Sequence, residues 1–122
     1  MGNQKKLFWS IAGYDGIDPI FCERIAMGSL PGKRIETVLQ MLVARRLSPS
    51  EIIGGLAKKN AKYANELLSV RQEPGLPAYM CGDGPHYTAV IEGYDYDAAR
   101  EKIRAFQKSG RQYSALADLP NQ

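Results

Sequence analysis

Along the chain the spacing of apolar residues changes period three times, and those changes divide it into strands and helices. Over residues 6–14, KLFWSIAGY, Leu7, Trp9 and Ile11 alternate with Phe8, Ser10 and Ala12. Over residues 20–27, IFCERIAM, Phe21, Glu23 and Ile25 alternate with Cys22, Arg24 and Ala26. A period of two is that of a pleated strand, whose successive side chains point to opposite faces. Between the runs stands YDGIDP, whose Asp-Gly and Asp-Pro pairs are turn formers. The pattern predicts an antiparallel hairpin anchored in the core by Trp9 and Phe21.

After SLPGKR the period lengthens. Ile35, Val38, Leu39, Leu42, Val43 and Arg46 trace one stripe of a helix over residues 33–47. A second helix is announced by LSPSEIIGGLAKKN: Ser48 as N-cap, Pro49 at the first helical position and Glu51 completing a capping box. Its interior Gly54 and Gly55 each weaken it by about 1 kcal/mol relative to alanine, which marks close packing against a neighbour or a weak point. Asn60 is its expected end, with continuation for another turn through NAKYANE as the alternative.

The strand period returns in LLSVRQE (67–73), AYMC (78–81) and HYTAVIEG (86–93), with PGLP and GDGP between them. Asp95 then caps a last helix that turns Ala99, Ile103 and Phe106 inward and stops at Gly110. Residues 111–122 show no period; they read as a partly ordered tail in which Tyr113 and Leu116 dock. Runs of strands separated by runs of helices predict one α+β domain over residues 1–122. Its expected form is an antiparallel sheet of about four strands with helices on one face, in the order ββααββα.

Composition adds little to this until charge is resolved along the chain. A 122-residue chain that is 44% hydrophobic and 24% charged is an ordinary globular domain with a single core. No apolar run reaches the roughly 18 residues of a membrane span, and the first residues lack the apolar stretch of a secretory signal. A cytoplasmic protein without membrane contact is expected. The net charge is only +3, yet residues 33–62 carry seven cations against two carboxylates, a local +5 that leaves −2 elsewhere. Such asymmetry bears on partners, not on fold. Arg45, Arg46, Lys58, Lys59 and Lys62 are therefore candidates for binding a nucleic acid through a helix-turn-helix-like pair. Against this, the first turns of the second helix offer Ile52, Ile53, Gly54 and Gly55, not side chains that read base edges.

The densest candidate chemistry is CGDGPHYTAVIEGYDYD, residues 81–97, with the sole histidine, one of the two cysteines and three aspartates. A metal held by Asp83, His86, Asp95 and Asp97 would need ligands from both ends of one extended run, roughly 30 Å apart at strand spacing. Turn chemistry at Asp83-Gly84-Pro85, a cap at Asp95 and a helix-dipole partner at Asp97 account for the same residues. No metal and no cofactor are expected. Cys81 and His86 flank one turn, so a cysteine nucleophile with a histidine base is the enzymatic reading of the stretch. The competing expectation is that Cys81 and Cys22 are buried free thiols within strands. Among the tyrosines, Tyr14, Tyr94 and Tyr96 fall in loops, where an apolar ring with a polar tip suits a partner surface. The sequence thus ranks a small non-catalytic binding or adaptor module first, acting through protein contacts, as a homodimer in one form. Nucleic-acid binding through residues 33–62 comes second, and an enzyme with a site near Cys81 and His86 third.

Overall fold

In the computed structural model, which describes residues 7–30 and 33–110, the sheet has five antiparallel strands and the order is ββααβββα. The α+β class and the antiparallel sheet are as the periods predict. The strand count exceeds the expected four, because the two short runs before His86 are separate strands. β1 (Phe8–Asp15) and β2 (Asp18–Ala26) form the hairpin. After a 3₁₀ turn at Met27–Ser29 come α1 (Arg34–Ala44) and α2 (Pro49–Leu56). Then follow β3 (Val70–Gln72), β4 (Tyr79–Cys81), β5 (His86–Glu92) and α3 (Tyr96–Lys108). The spatial order β2-β1-β5-β4-β3 puts β1 and β5 at the centre and leaves β2 and β3 as the edges.

The register sorts the side chains into two faces. On one face Trp9 lies between Ile25 and Ile91, Ile11 next to Ala89, and Gly13 between Phe21 and Tyr87. α1 packs chiefly across β5, β4 and β3 on this side. Its Ile35, Leu39 and Val43, spaced by one helical turn, join Trp9, Ile11, Cys81, Tyr87, Ala89 and Ile91 in one buried cluster. Leu39 is 0% exposed. Val38 and Leu42, from the same predicted stripe, are only half-buried, and Arg46 lies exposed beyond the end of the helix. Gly13 is required by this packing, since a Cβ there would come within 2.5 Å of the Tyr87 ring. Phe21, at the margin of the cluster, is half-buried, and its ring meets Tyr87 edge-on at 6.1 Å.

Local signals set the helix starts. Ser48 Oγ accepts from the Glu51 N–H at 3.2 Å, and the Glu51 carboxylate accepts from the Ser48 N–H at 2.8 Å, a complete capping box. Asp95 accepts from the Ala98 N–H at 3.0 Å at the head of α3, and Gly110 closes that helix at φ +76°. The end of α2 comes at Leu56, four residues before Asn60. The segment that follows takes over its carbonyls: Asn65 N donates to Gly54 O at 3.0 Å and Asn65 Nδ2 to Glu51 O at 3.1 Å. Gly54 permits this approach, because a Cβ would sit 2.5 Å from the Tyr63 carbonyl oxygen. The residues Tyr113 and Leu116 lie outside the described part of the chain.

Candidate functional site

The dense stretch 81–97 is divided by the sheet. Cys81 pairs with Tyr87, so both side chains share the α1 face, and Cys81 is fully buried there. His86, one residue earlier on β5, points to the other face. Its ring stacks on Tyr14 at a centroid distance of 5.5 Å. The thiol and the imidazole thus stand on opposite sides of a β-sheet, and His86 cannot act as the base for Cys81. Burial pushes the Cys81 thiol up, with Arg71 a smaller opposing influence, which disfavours the thiolate. The three aspartates of the stretch have separate structural uses. Asp83 meets Arg71 at 3.4 Å, Asp95 caps α3, and Asp97 meets Arg100 at 3.3 Å. Among the described residues no three His, Cys, Asp or Glu side chains gather as a metal site would need.

The loop tyrosines are less free than their sequence context suggests. Tyr94 and Tyr96 are half-buried and meet edge-on at 4.8 Å, packed about Leu76 and Ala99. The Tyr96 hydroxyl accepts from the Ile91 N–H at 2.7 Å and donates to the Pro77 carbonyl at 2.8 Å, closing the end of the sheet between β4 and β5. Burial raises its pKa above the ordinary phenol value. Tyr96 is a structural pin. Tyr14 belongs to β1, not to a loop, and sits on the face opposite α1.

Among the described residues that second face carries no helix of the α1 layer. One row crosses all five strands: Cys22, Ala12, Thr88, Met80 and Arg71. A neighbouring row carries Arg24, Ser10 and Val90. Cys22 is exposed, contrary to the buried thiol expected of both cysteines, because its position alternates onto this side. Met80 is 39% and Val90 38% exposed, and with Thr88 and Ala78 they line a groove of about 340 Å³. The cations of the face are neutralised locally. Arg24 pairs with Glu92 at 2.7 Å and lies over the Phe8 ring at 4.2 Å, while Arg71 donates to the Gly82 carbonyl at 2.7 Å and meets Asp83. At the far corner Arg100 clasps Glu73 through two hydrogen bonds of 2.7 and 3.0 Å. That clasp lowers the Glu73 pKa.

The basic residues of the helical middle line two different concavities. Arg45, with Arg34, flanks a shallow apolar groove of about 400 Å³ over Leu30, Val38, Met41 and Leu42. Lys59, with Lys33, borders a cleft of about 640 Å³ between α1 and the segment after α2, where Glu36 and Glu66 are also present. Lys33 stands at the start of α1 and Arg45 at its end, about 18 Å apart along the axis at helical rise. Arg46, Lys58 and Lys62 are exposed. No helix among the described residues is long and apolar enough to cross a membrane. No family model, curated protein or solved structure matches the chain.

Proposed function

We propose that this chain is a non-catalytic binding module that engages a protein partner through the open face of its sheet. The observation that carries the reading is the composition of that face. An antiparallel sheet with one face in water ordinarily alternates apolar-in with polar-out. Here the outward positions of β1, β4 and β5 include Phe8, Ala12, Tyr14, Met80 and Val90. Apolar area on a surface, bordered by polar groups, is the pattern of an interaction site. The charges at its margin support a protein over a nucleic acid: the Arg24 and Arg71 cations are each matched by a neighbouring carboxylate, so little net positive charge is offered to phosphates. The separation of Cys81 from His86 supports a non-catalytic role.

The test compares cross-linking of partners by the wild-type chain and by a Met80→Glu, Val90→Glu variant. Both positions are exposed, so the variant should keep the wild-type circular dichroism and melting temperature while its specific cross-links disappear. Equal cross-linking by the two proteins would remove the open face from the reading. Labelled duplex DNA and RNA, titrated at low and high salt, supply the competing outcome. Tight, salt-sensitive binding abolished by Arg45→Ala with Lys59→Ala would replace a protein partner by a nucleic acid.

A further inference from the structure

The open face is one surface of the sheet; the outer edge of β2 is another. The two sheet edges are unequal. β3 has three residues, whereas β2 has nine. Met27 N donates to Leu7 O at 3.0 Å just beyond the paired strands, which makes Leu7 and Met27 a hydrogen-bonded pair. In an antiparallel ladder such pairs alternate, so Ile25, Glu23 and Phe21 turn their backbone groups toward β1. Ala26, Arg24 and Cys22 therefore present N–H and C=O groups outward, where no strand of the described residues meets them. A row of unpaired backbone groups on a long edge is a template for another strand. Of the features that blunt such edges, Pro19 and the irregular register near Tyr14 lie at one end, while Glu23 and Arg24 place charge of opposite sign in mid-strand.

We propose that β2 is the seam of a homodimer, in which two copies pair antiparallel about Cys22 and join their five-stranded sheets edge to edge. A second copy is favoured because the strand is complementary to itself in one register. Pairing centred on Cys22 overlaps the Asp18–Ala26 span and sets the outward-facing backbone groups of Cys22 against those of the partner's Cys22, with the register shift and Pro19 toward the two ends of the seam. Shifting the centre to Glu23 places two carboxylates directly opposite each other, and shifting it to Arg24 opposes two guanidinium groups. A centre at Phe21 shortens the overlap and leaves Ile25 and Ala26 without partners. In the Cys22 register Glu23 faces Phe21 of the partner subunit and Arg24 faces the partner's Ile20. α1 packs chiefly on β3–β5, so Phe21 and Ile25 are only half-buried, and pairing would bring further side chains beside them. The two Cys22 side chains lie on the same face at the two-fold axis. Directly opposed residues of a hydrogen-bonded pair have Cα atoms about 5.5 Å apart, within the range a disulfide spans.

The full 122-residue chain serves for the test. Light scattering on a sizing column is expected to give twice the chain mass, and mild copper–phenanthroline oxidation to convert that dimer into a disulfide-linked one. Cys22→Ser should remain a dimer and lose the cross-link. Cys22→Pro removes an outward N–H and no bond to β1, so a folded monomer by circular dichroism is expected. Because proline could also disturb the strand, Cys22→Lys and Cys22→Asp are prepared separately. Each should dissociate as a homodimer, and a mixture of the two should recover a heterodimer. A monomeric wild-type chain, a dimer indifferent to Cys22→Pro, or no recovery on mixing would overturn the proposal. Met80→Glu with Val90→Glu should leave this dimer intact, so loss of the open-face reading and loss of the β2 seam give different results.

Discussion

On β5, Tyr87, Ala89 and Ile91 are buried against α1 and its neighbours, while Val90, between two of them, is 38% exposed. The same contrast holds on β1, where Trp9 and Ile11 lie in the core and Ser10 and Ala12 are half-exposed. Backbone, hydrogen bonding and strand neighbours are shared by the two faces; only the side of the pleat differs. The α1 face excludes water with a helix whose Ile35, Leu39 and Val43 fit between strand side chains, and stability resides there. The opposite face keeps apolar groups such as Met80 and Val90 in contact with water, and the binding role proposed above is assigned to it. Under that proposal, folding and recognition are separated onto the two faces of one sheet.

Substitutions on the two faces can break or sharpen this contrast. The largest effect is expected at Leu39→Ala, which removes fully buried methyl groups and should cost about 2–5 kcal/mol in a denaturant titration. An unchanged midpoint would mean that the α1 face is not the core. Gly13→Ala comes next. Its Cβ must displace the buried Tyr87 ring, so a loss of about 1–3 kcal/mol is expected despite the added methyl group. On the other side of the pleat, Val90→Thr keeps the shape and adds a hydroxyl to an exposed position. Its stability should stay within about 0.5 kcal/mol of wild type. A loss comparable to that at Leu39 would show the open face to be covered in solution.

The smallest effect is electrostatic and appears as a dependence on pH. Hydrogen bonds from Arg100 hold the Glu73 carboxyl below its ordinary 4.5. A depressed carboxyl pKa stabilises the fold above the unfolded-state value, and that stabilisation fades as pH falls through the folded one. The melting-temperature advantage of wild type over Glu73→Gln should therefore be present at neutral pH and vanish in acid, below 4.5. The effect is small because both partners are partly exposed and solvent screens them. An advantage that grew on acidification would contradict the assignment of the clasp.

Much of this was legible in the chain itself, and the residues show why. The Ser48–Glu51 box, the Asp95 cap and the Gly110 stop involve partners within a few positions, so the pattern contains both halves of each interaction. The alternation in β1 and β2 foretold the hairpin for the same reason. What stayed hidden depended on residues far apart. Cys22 looks like a core thiol until pairing with Ala12 assigns its side to the open face. Tyr96 looks like a free loop tyrosine until Ile91 and Pro77 claim its hydroxyl. Lys59 and Arg45 look like members of one patch until α2 and the segment after it carry them to separate concavities.

The sequence by itself determined the class of the fold, the positions of its helix starts, and the face of α1 that carries the core residues Ile35, Leu39 and Val43. These follow from periodicity and capping, which act over one or two turns of chain. The tertiary structure alone decided which way each strand's two sides face, which edge stays unpaired, and where α2 ends. Those outcomes turn on register: a shift of one residue in a strand exchanges its faces, and the choice is made by what packs against it from elsewhere in the chain.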